Sequence, residues 1–390
     1  MPGPRVVVIG AGAFGGWTAL ELVRRGALVT LIDAWAPGHP RASSGGETRI
    51  IRTVYGSRPI YTRLAARALD LWRAYEARWQ AGLLRATGGL WISGPDDTFA
   101  RTSAAALAAE GRTFEWLSPA EAARRYPALD TSAISSVLVE PDAGYLFARR
   151  ACEHVAARVG AERGAVHDGA IVAAPVRMPS SPSMTRLTLT GGAVIDADAF
   201  VFACGPWLGT LFPDVIGDRI VPTRQEIYYF DTPIGDRRFD DDRMPVWIEM
   251  GDRLMYGIPG NGGRGFKVAD DTPGPRFDPT TGSRHLTPAG VETVRGYLRR
   301  RFPALADAPL LGGEVCQYEA TPDSHLIVDV HPAAPNVWIA GGGSGHGFKL
   351  APAIGEIVAS AVLGESTPDP AFALSRFDRA GAGLAQEKWR

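Results

Sequence analysis

Lysine is almost missing from this sequence. Of 41 Lys+Arg residues in 390, only three are lysines: Lys267, Lys349 and Lys388. A bias this strong points to a GC-rich coding background. A lysine kept against it marks a place where a bulky, permanently charged guanidinium does not serve and a compact ammonium with a tunable pKa does. Lys388, near the C-terminus, reads as chance, whereas Lys267 and Lys349 both lie in glycine-rich segments and stand as candidates. Cysteine is sparse too. Cys152, Cys204 and Cys316 are three in number and far apart, which argues against the disulfide framework of a small secreted domain. No long hydrophobic run is present. Val6 to Leu20 carries no charge, but it is too short and glycine-rich to span a bilayer, and Met1 to Arg5 does not read as a signal peptide. An excess of one charge is also lacking. The net charge of -1 argues against a nucleic-acid or anionic-membrane partner. Repeats and low-complexity tracts are missing as well.

What remains is an ordinary globular composition, 45% hydrophobic and 21% charged, with length for two domains and a large core. A cytoplasmic, monomeric enzyme for a small molecule is the expectation, with no metal site.

The first 33 residues read as a complete βαβ unit. Val6-Val7-Val8-Ile9 is a β-branched run suited to a buried parallel strand. Gly10-Ala11-Gly12-Ala13-Phe14-Gly15 follows, then an apolar-periodic helix that stops near Arg25-Gly26. Leu28 to Ile32 is a second strand, closed by Asp33. In such a turn Gly10 permits the bend, Gly12 lets backbone approach a pyrophosphate, and Gly15 lets helix and strand close together. The helix start offers free N–H groups to phosphate, and Asp33 is placed for a ribose hydroxyl. The unit alone does not separate FAD from NAD.

Further along, Leu64–Trp79, Ala148–Val159 and Leu350–Leu363 read as helices. Ala199–Ala203 and Val337–Ala340 read as strands. Gln225 to Phe230 and Met255 to Pro259 are strand-like runs between Pro, Gly and Asp turns, as in an antiparallel sheet inserted between segments of a nucleotide domain. Met178–Met184 reads as a surface loop, and Cys204, ending an apolar strand, as core.

Several segments resemble one family. Ala42-Ser43-Ser44-Gly45-Gly46-Glu47-Thr48-Arg49-Ile50-Ile51-Arg52, Glu314-Val315-Cys316-Gln317-Tyr318 and Gly343-Ser344-Gly345-His346-Gly347-Phe348-Lys349 resemble, in order, three flavin-contacting segments of monomeric sarcosine oxidase and N-methyltryptophan oxidase. Glu140-Pro141-Asp142-Ala143-Gly144 and Arg224-Gln225 also fit. The resemblance implies a D-amino-acid-oxidase-like fold: a Rossmann-type FAD domain (1–85, 146–218, 317–380) interleaved with a mixed or antiparallel-sheet substrate domain (86–145, 219–316). It also implies an FAD-dependent oxidase of a small secondary amine or N-methyl or cyclic amino acid. Hydride would pass to flavin N5, giving an imine, and oxygen would be reduced to hydrogen peroxide. A dehydrogenase feeding an electron carrier is the alternative within the fold.

The resemblance assigns residues as well. Ser43, Ser44, Thr48, Arg49, Gly343, Gly345, His346 and Gly347 would contact the cofactor, and Cys316 would join it through a thioether. That bond needs a thiolate, which nearby cations favour. Lys267 would be a fixed cation where oxygen is reduced. Arg52 and Lys349 would hold a substrate carboxylate, and the helix beginning near Lys349 would aim its positive end at the flavin and favour the anionic reduced form. Tyr256 and Tyr318 would line the pocket. Two positions depart from the sarcosine-oxidase pattern. One of its histidines is Gly45 here, and its active-site histidine falls at Asp270 or Asp271. An acid there is similar to imino-acid oxidases that aromatise a cyclic imino acid in antibiotic biosynthesis.

Overall fold

The computed structural model describes residues 3–180, 183–260 and 262–378. Lys388, Met1-Pro2, Ser181-Pro182 within the 178–184 segment, and positions 379–380 lie outside the described residues.

Strand Arg5–Ile9, helix Ala13–Arg24 and strand Leu28–Ile32 form the expected unit. Val6 to Ile9 are at most 4% exposed, as a central parallel strand requires. The helix ends at Gly26, whose φ of +87° is the left-handed conformation glycine tolerates. Six strands make the sheet, in the order Ile327–His331, Ala334–Gly341, Ala199–Phe202, Arg5–Ile9, Leu28–Ile32 and Ala165–His167. All neighbours are parallel except the first pair, an antiparallel hairpin. The chain leaves Arg5–Ile9 on one side and returns on the other as Ala199–Phe202. A crevice therefore opens beyond the C-terminal ends of these two strands. One face is covered by helices Ala13–Arg24, Pro59–Trp79, Ala148–Ala161 and Ala351–Val362 around Trp17, which meets Trp72 edge-on at 5.1 Å. Gly355 is what brings the last helix close, since a Cβ there would lie 2.8 Å from the Trp17 backbone.

A mixed eight-stranded sheet stands beside it, in the order Leu310–Ala320, Val221–Phe230, Phe266–Asp270, Met255–Ile258, Val246–Met250, Gly89–Ser93, Ser136–Glu140 and Glu115–Leu117. One of its pairs, Val246–Met250 with Gly89–Ser93, is parallel. Helix Pro288–Arg301 backs one face, where Trp247 stacks on Phe266 at 4.6 Å. The other face turns toward the crevice. A small third sheet, Thr48–Ile51, Gly144–Phe147 and Leu84–Arg85, carries the Arg49 segment between the two larger ones.

Some sequence readings change. The second helix starts at Pro59, a residue suited to the first helical turn because its missing N–H is not needed there. Met184 is buried, with its N–H and carbonyl both bonded to the Asn336 side chain, so the 178–184 segment is anchored at its end. Lys267 lies within a strand. Among the described residues no helix is long and apolar enough to cross a membrane.

Candidate active site

Two connected cavities meet where the sheets face each other. The outer cleft, about 370 Å³, runs from Gly10 and Gly12 past Asp33, Ser43 and Ser44 to Arg49, Tyr318 and the Gly343–Phe348 loop. The inner cavity, about 70 Å³, is lined by Arg49, Arg52, Trp91, Tyr256, Asp271, Cys316, Tyr318, His346 and Lys349, with Ile50, Ile227, Ile248 and Leu254. Strand Leu310–Ala320 divides them. Cys316 faces the inner cavity, Gln317 and Glu319 the outer, and Tyr318 both, as alternation along a strand dictates.

The glycine turn behaves as its spacing requires. Gly10 has φ +100°, and a Cβ on Gly15 would lie 1.8 Å from the Gly10 carbonyl. The Asp33 carboxylate accepts from the Ala11 and Trp35 N–H groups at 2.7 and 2.9 Å. Burial raises its pKa. The Ser44 hydroxyl stands beside Gly12. Ser43 has its hydroxyl buried without a partner among the described residues.

Around the inner cavity the cations are held tightly. Arg49 donates to the Thr48 and Ser43 carbonyls, each at 2.8 Å. Lys267, 2% exposed, lies behind this segment and donates to the Thr48 carbonyl at 2.8 Å and its hydroxyl at 3.2 Å. Burial, and then Arg49, bring its pKa down to about 7. It lines neither cavity wall. Arg52 is sandwiched against Tyr55 and Trp91, with centroids 4.2 and 5.0 Å away, and donates to the Val54 carbonyl. Lys349 donates to the His346 carbonyl at 2.9 Å and to the Tyr55 hydroxyl at 3.2 Å. His346 bonds the Ser324 carbonyl through Nε2, which must carry the proton. Its Nδ1 therefore accepts from Tyr55.

Arg52 and Lys349 thus reach one cavity from segments almost 300 residues apart in sequence. Sequence reasoning missed Glu140. This buried carboxylate accepts from the Thr53 N–H and hydroxyl and interacts electrostatically with Arg52. With Glu140 as a resident electrostatic partner, the burial of Arg52 does not by itself call for an external anion. Its signal was the Glu140-Pro141-Asp142-Ala143-Gly144 segment, quoted above only as a match.

The acid position resolves to Asp271. Tyr318 donates to it and is hydrogen-bonded to Tyr256, whereas Asp270 pairs outside with Arg253. At Gly45 a Cβ would lie 1.9 Å from the His39 carbonyl, so the loop leaves no room for the histidine of the related pattern. Cys316 is buried, and burial raises its thiol pKa against the opposing pull of Arg49 and Lys267. Cys204 is only half-buried and lines the outer cleft. It also packs against the core of Phe202, Leu208 and Ile339, in keeping with the core reading of it. Glu319, also missed, projects into the same cleft. Burial pushes its carboxyl up to about 7.

Residues 5–361 match the family model described as FAD dependent oxidoreductase, and the chain belongs to that family. Its relatives include monomeric sarcosine oxidase from Bacillus sp. (strain B-0618), 31% identical over 92% of each chain. N-methyl-L-tryptophan oxidase from Yersinia pestis (strain Pestoides F) is 28% identical over 95% of this chain and 99% of its own. Among solved structures, L-proline dehydrogenase from P. horikoshii superposes with a TM-score of 0.83 at 22% identity, covering 97% of this chain and 99% of its own. A fructosyl peptide oxidase mutant gives 0.85 at 22% identity, over 100% and 96%. The outer cleft fits FAD on its own terms. It offers a cradle at Gly10–Gly15 that a Cβ would fill and two buried polar atoms, Ser43 Oγ and Glu319 Oε2, left without partners among the described residues.

Proposed function

We propose that the protein is an FAD-dependent oxidase of a small secondary amine or an N-methyl or cyclic amino acid, acting in the cytoplasm. Bound FAD would accept a hydride from the carbon next to the substrate nitrogen, and oxygen would take the electrons on, giving hydrogen peroxide. The protein's share is binding, orientation and charge. The Gly10–Gly15 turn, Asp33, Ser43, Ser44 and Thr48 hold the cofactor, with Arg49, Gly343, Gly345, His346 and Gly347 beside it, and Cys316 is its attachment point. Lys349 and Arg52 receive a substrate carboxylate, while Asp271 with Tyr318 and Tyr256 faces the amine end. A substrate amine that enters neutral needs no strong base, and release of water-labile imine completes the turnover. The single observation that carries this reading is the convergence of Lys349, Arg52, Asp271 and Cys316 on one small, mostly apolar cavity adjoining the dinucleotide cleft. The acid at 271 favours a second reading within it, an imino-acid oxidase that takes a cyclic substrate.

The test is a peroxide-coupled screen of N-methyl amino acids, cyclic imino acids and simple amines. Carboxylate-bearing substrates should be preferred, because the orienting contacts fall on that group. Losing a charged hydrogen bond should cost roughly 1.5–3 kcal/mol in kcat/KM. Equal turnover of the best substrate's amide or decarboxylated analogue would show that no carboxylate is held. Turnover only with an artificial electron acceptor would mark a dehydrogenase.

A further inference from the structure

We propose that Glu319 binds the hydroxyl-bearing chain of the cofactor, the polyol segment between the flavin ring and the phosphates. The inference rests on FAD occupying the outer cleft. Glu319 belongs to strand Leu310–Ala320 and faces only that cleft. On one side its carboxyl faces the Gly342 and Gly343 N–H groups, which hold its pKa down against burial. A Cβ on Gly343 would stand 2.8 Å from Oε1, so the anchoring loop is shaped around this side chain. Oε2 is buried and has no hydrogen-bond partner among the described residues. It stands between Gly205 and Gly341, where a Cβ on either would be 3.5 Å away. A buried acceptor left unpaired is costly and calls for a ligand group.

Position narrows the ligand. Glu319 lies three residues beyond Cys316, roughly 10 Å along an extended strand. Gly205 sits two residues after Ala203, whose carbonyl abuts Gly10. Oε2 is therefore between the Cys316 end of the site and the phosphate turn. Chemistry narrows it further. A phosphate oxygen opposite a carboxylate would repel it, and the methyl-bearing flavin edge that a Cys316 link implies carries no N–H donor for Oε2. A hydroxyl both donates and accepts, so it satisfies Oε2 in either protonation state of the acid. The arrangement also explains why an acidic side chain can lie beside a site for an anionic cofactor, since it meets the cofactor's uncharged middle.

The test is a binding cycle in full-length Cys316→Ala protein stripped of flavin, where association is reversible. FAD and analogues lacking single ribityl hydroxyls are titrated by quenching of flavin fluorescence. Glu319→Ala should weaken FAD about tenfold, the order of one hydrogen bond. At least one deoxy analogue should bind the parent about tenfold more weakly and show no further loss in Glu319→Ala. Glu319→Gln, which can still bond a hydroxyl, should stay within about threefold of the parent. The proposal fails if Glu319→Ala loses equal affinity for FAD and for every analogue, since the side chain would then only shape the glycine loop. It fails equally if every deoxy analogue binds the parent as tightly as FAD, an outcome that needs no alanine variant to fold. If the parent does not bind FAD at all, the cleft assignment falls with it.

Discussion

At the scale of single residues, this protein places ionisable groups where water cannot reach them and fixes them by carbonyls. Lys267 shows the consequence. Held by Thr48 and crowded by Arg49, it titrates at about 7, well below the ordinary lysine range. It is a cation below that pH and neutral above it, and a negative charge arriving beside it would raise the midpoint. Reoxidation of the reduced enzyme by oxygen should therefore be fastest at low pH and fall as pH rises through the Lys267 midpoint. Lys267→Met should be slower by on the order of a hundredfold and lack that inflection. Stopped-flow traces with unchanged reoxidation in the variant would move oxygen activation elsewhere. The stability sign follows from the same shift. Between about pH 7 and the unfolded value of 10.5, the unfolded chain holds more protons at this site than the folded one. The wild type should thus gain stability relative to Lys267→Met as pH rises through that window.

At the scale of elements, strand Leu310–Ala320 organises the site. It pairs with Val221–Phe230 from Val221↔Ala320 to Phe230↔Leu310, so its register is strongly specified. Alternation then sends Cys316 to the inner cavity and Gln317 and Glu319 to the outer. A thiol so placed lines the inner cavity, which meets the outer cleft at Arg49 and Tyr318, and stands near the cations Arg49 and Lys267, which pull its pKa down against burial. The cofactor should consequently remain on the polypeptide after acid denaturation, and Cys316→Ala should release it. Free FAD in the supernatant of the denatured wild type, with no mass adduct on the Cys316 peptide, would refute attachment and leave FAD binding intact.

For the whole molecule, the cofactor cleft lies between two sheets that each have their own core. Among the described residues the large exposed apolar side chains are Leu28, Trp116, Ile171, Val194, Ile234 and Leu311. They lie on different elements, and Ile171 lines the outer cleft. Scattered single side chains of this kind need no partner subunit. The protein should run as one chain by light scattering at micromolar concentration. A mass of two chains there would show that an interface exists which these side chains do not mark.

The sequence by itself determined the βαβ unit, because strand, glycine turn, helix and closing acid are contiguous and each follows from local chemistry. It also singled out Lys267 and Lys349, through their rarity and setting, and Cys316 and Arg52, through resemblance, as site candidates, of which Lys349, Cys316 and Arg52 line the inner cavity. Only the tertiary structure decided which of Asp270 and Asp271 faces the cavity, because one strand position turns a side chain to the opposite face. Only it showed that Glu140 acts electrostatically on Arg52 and that Lys349, Tyr55 and His346 form one chain of hydrogen bonds, for these interactions join segments that no local pattern relates. Glu319 was out of reach for the same reason. Its meaning depends on two glycine N–H groups brought to it from the end of strand Ala334–Gly341 in the other sheet, and on an oxygen that the fold buries without a partner among the described residues.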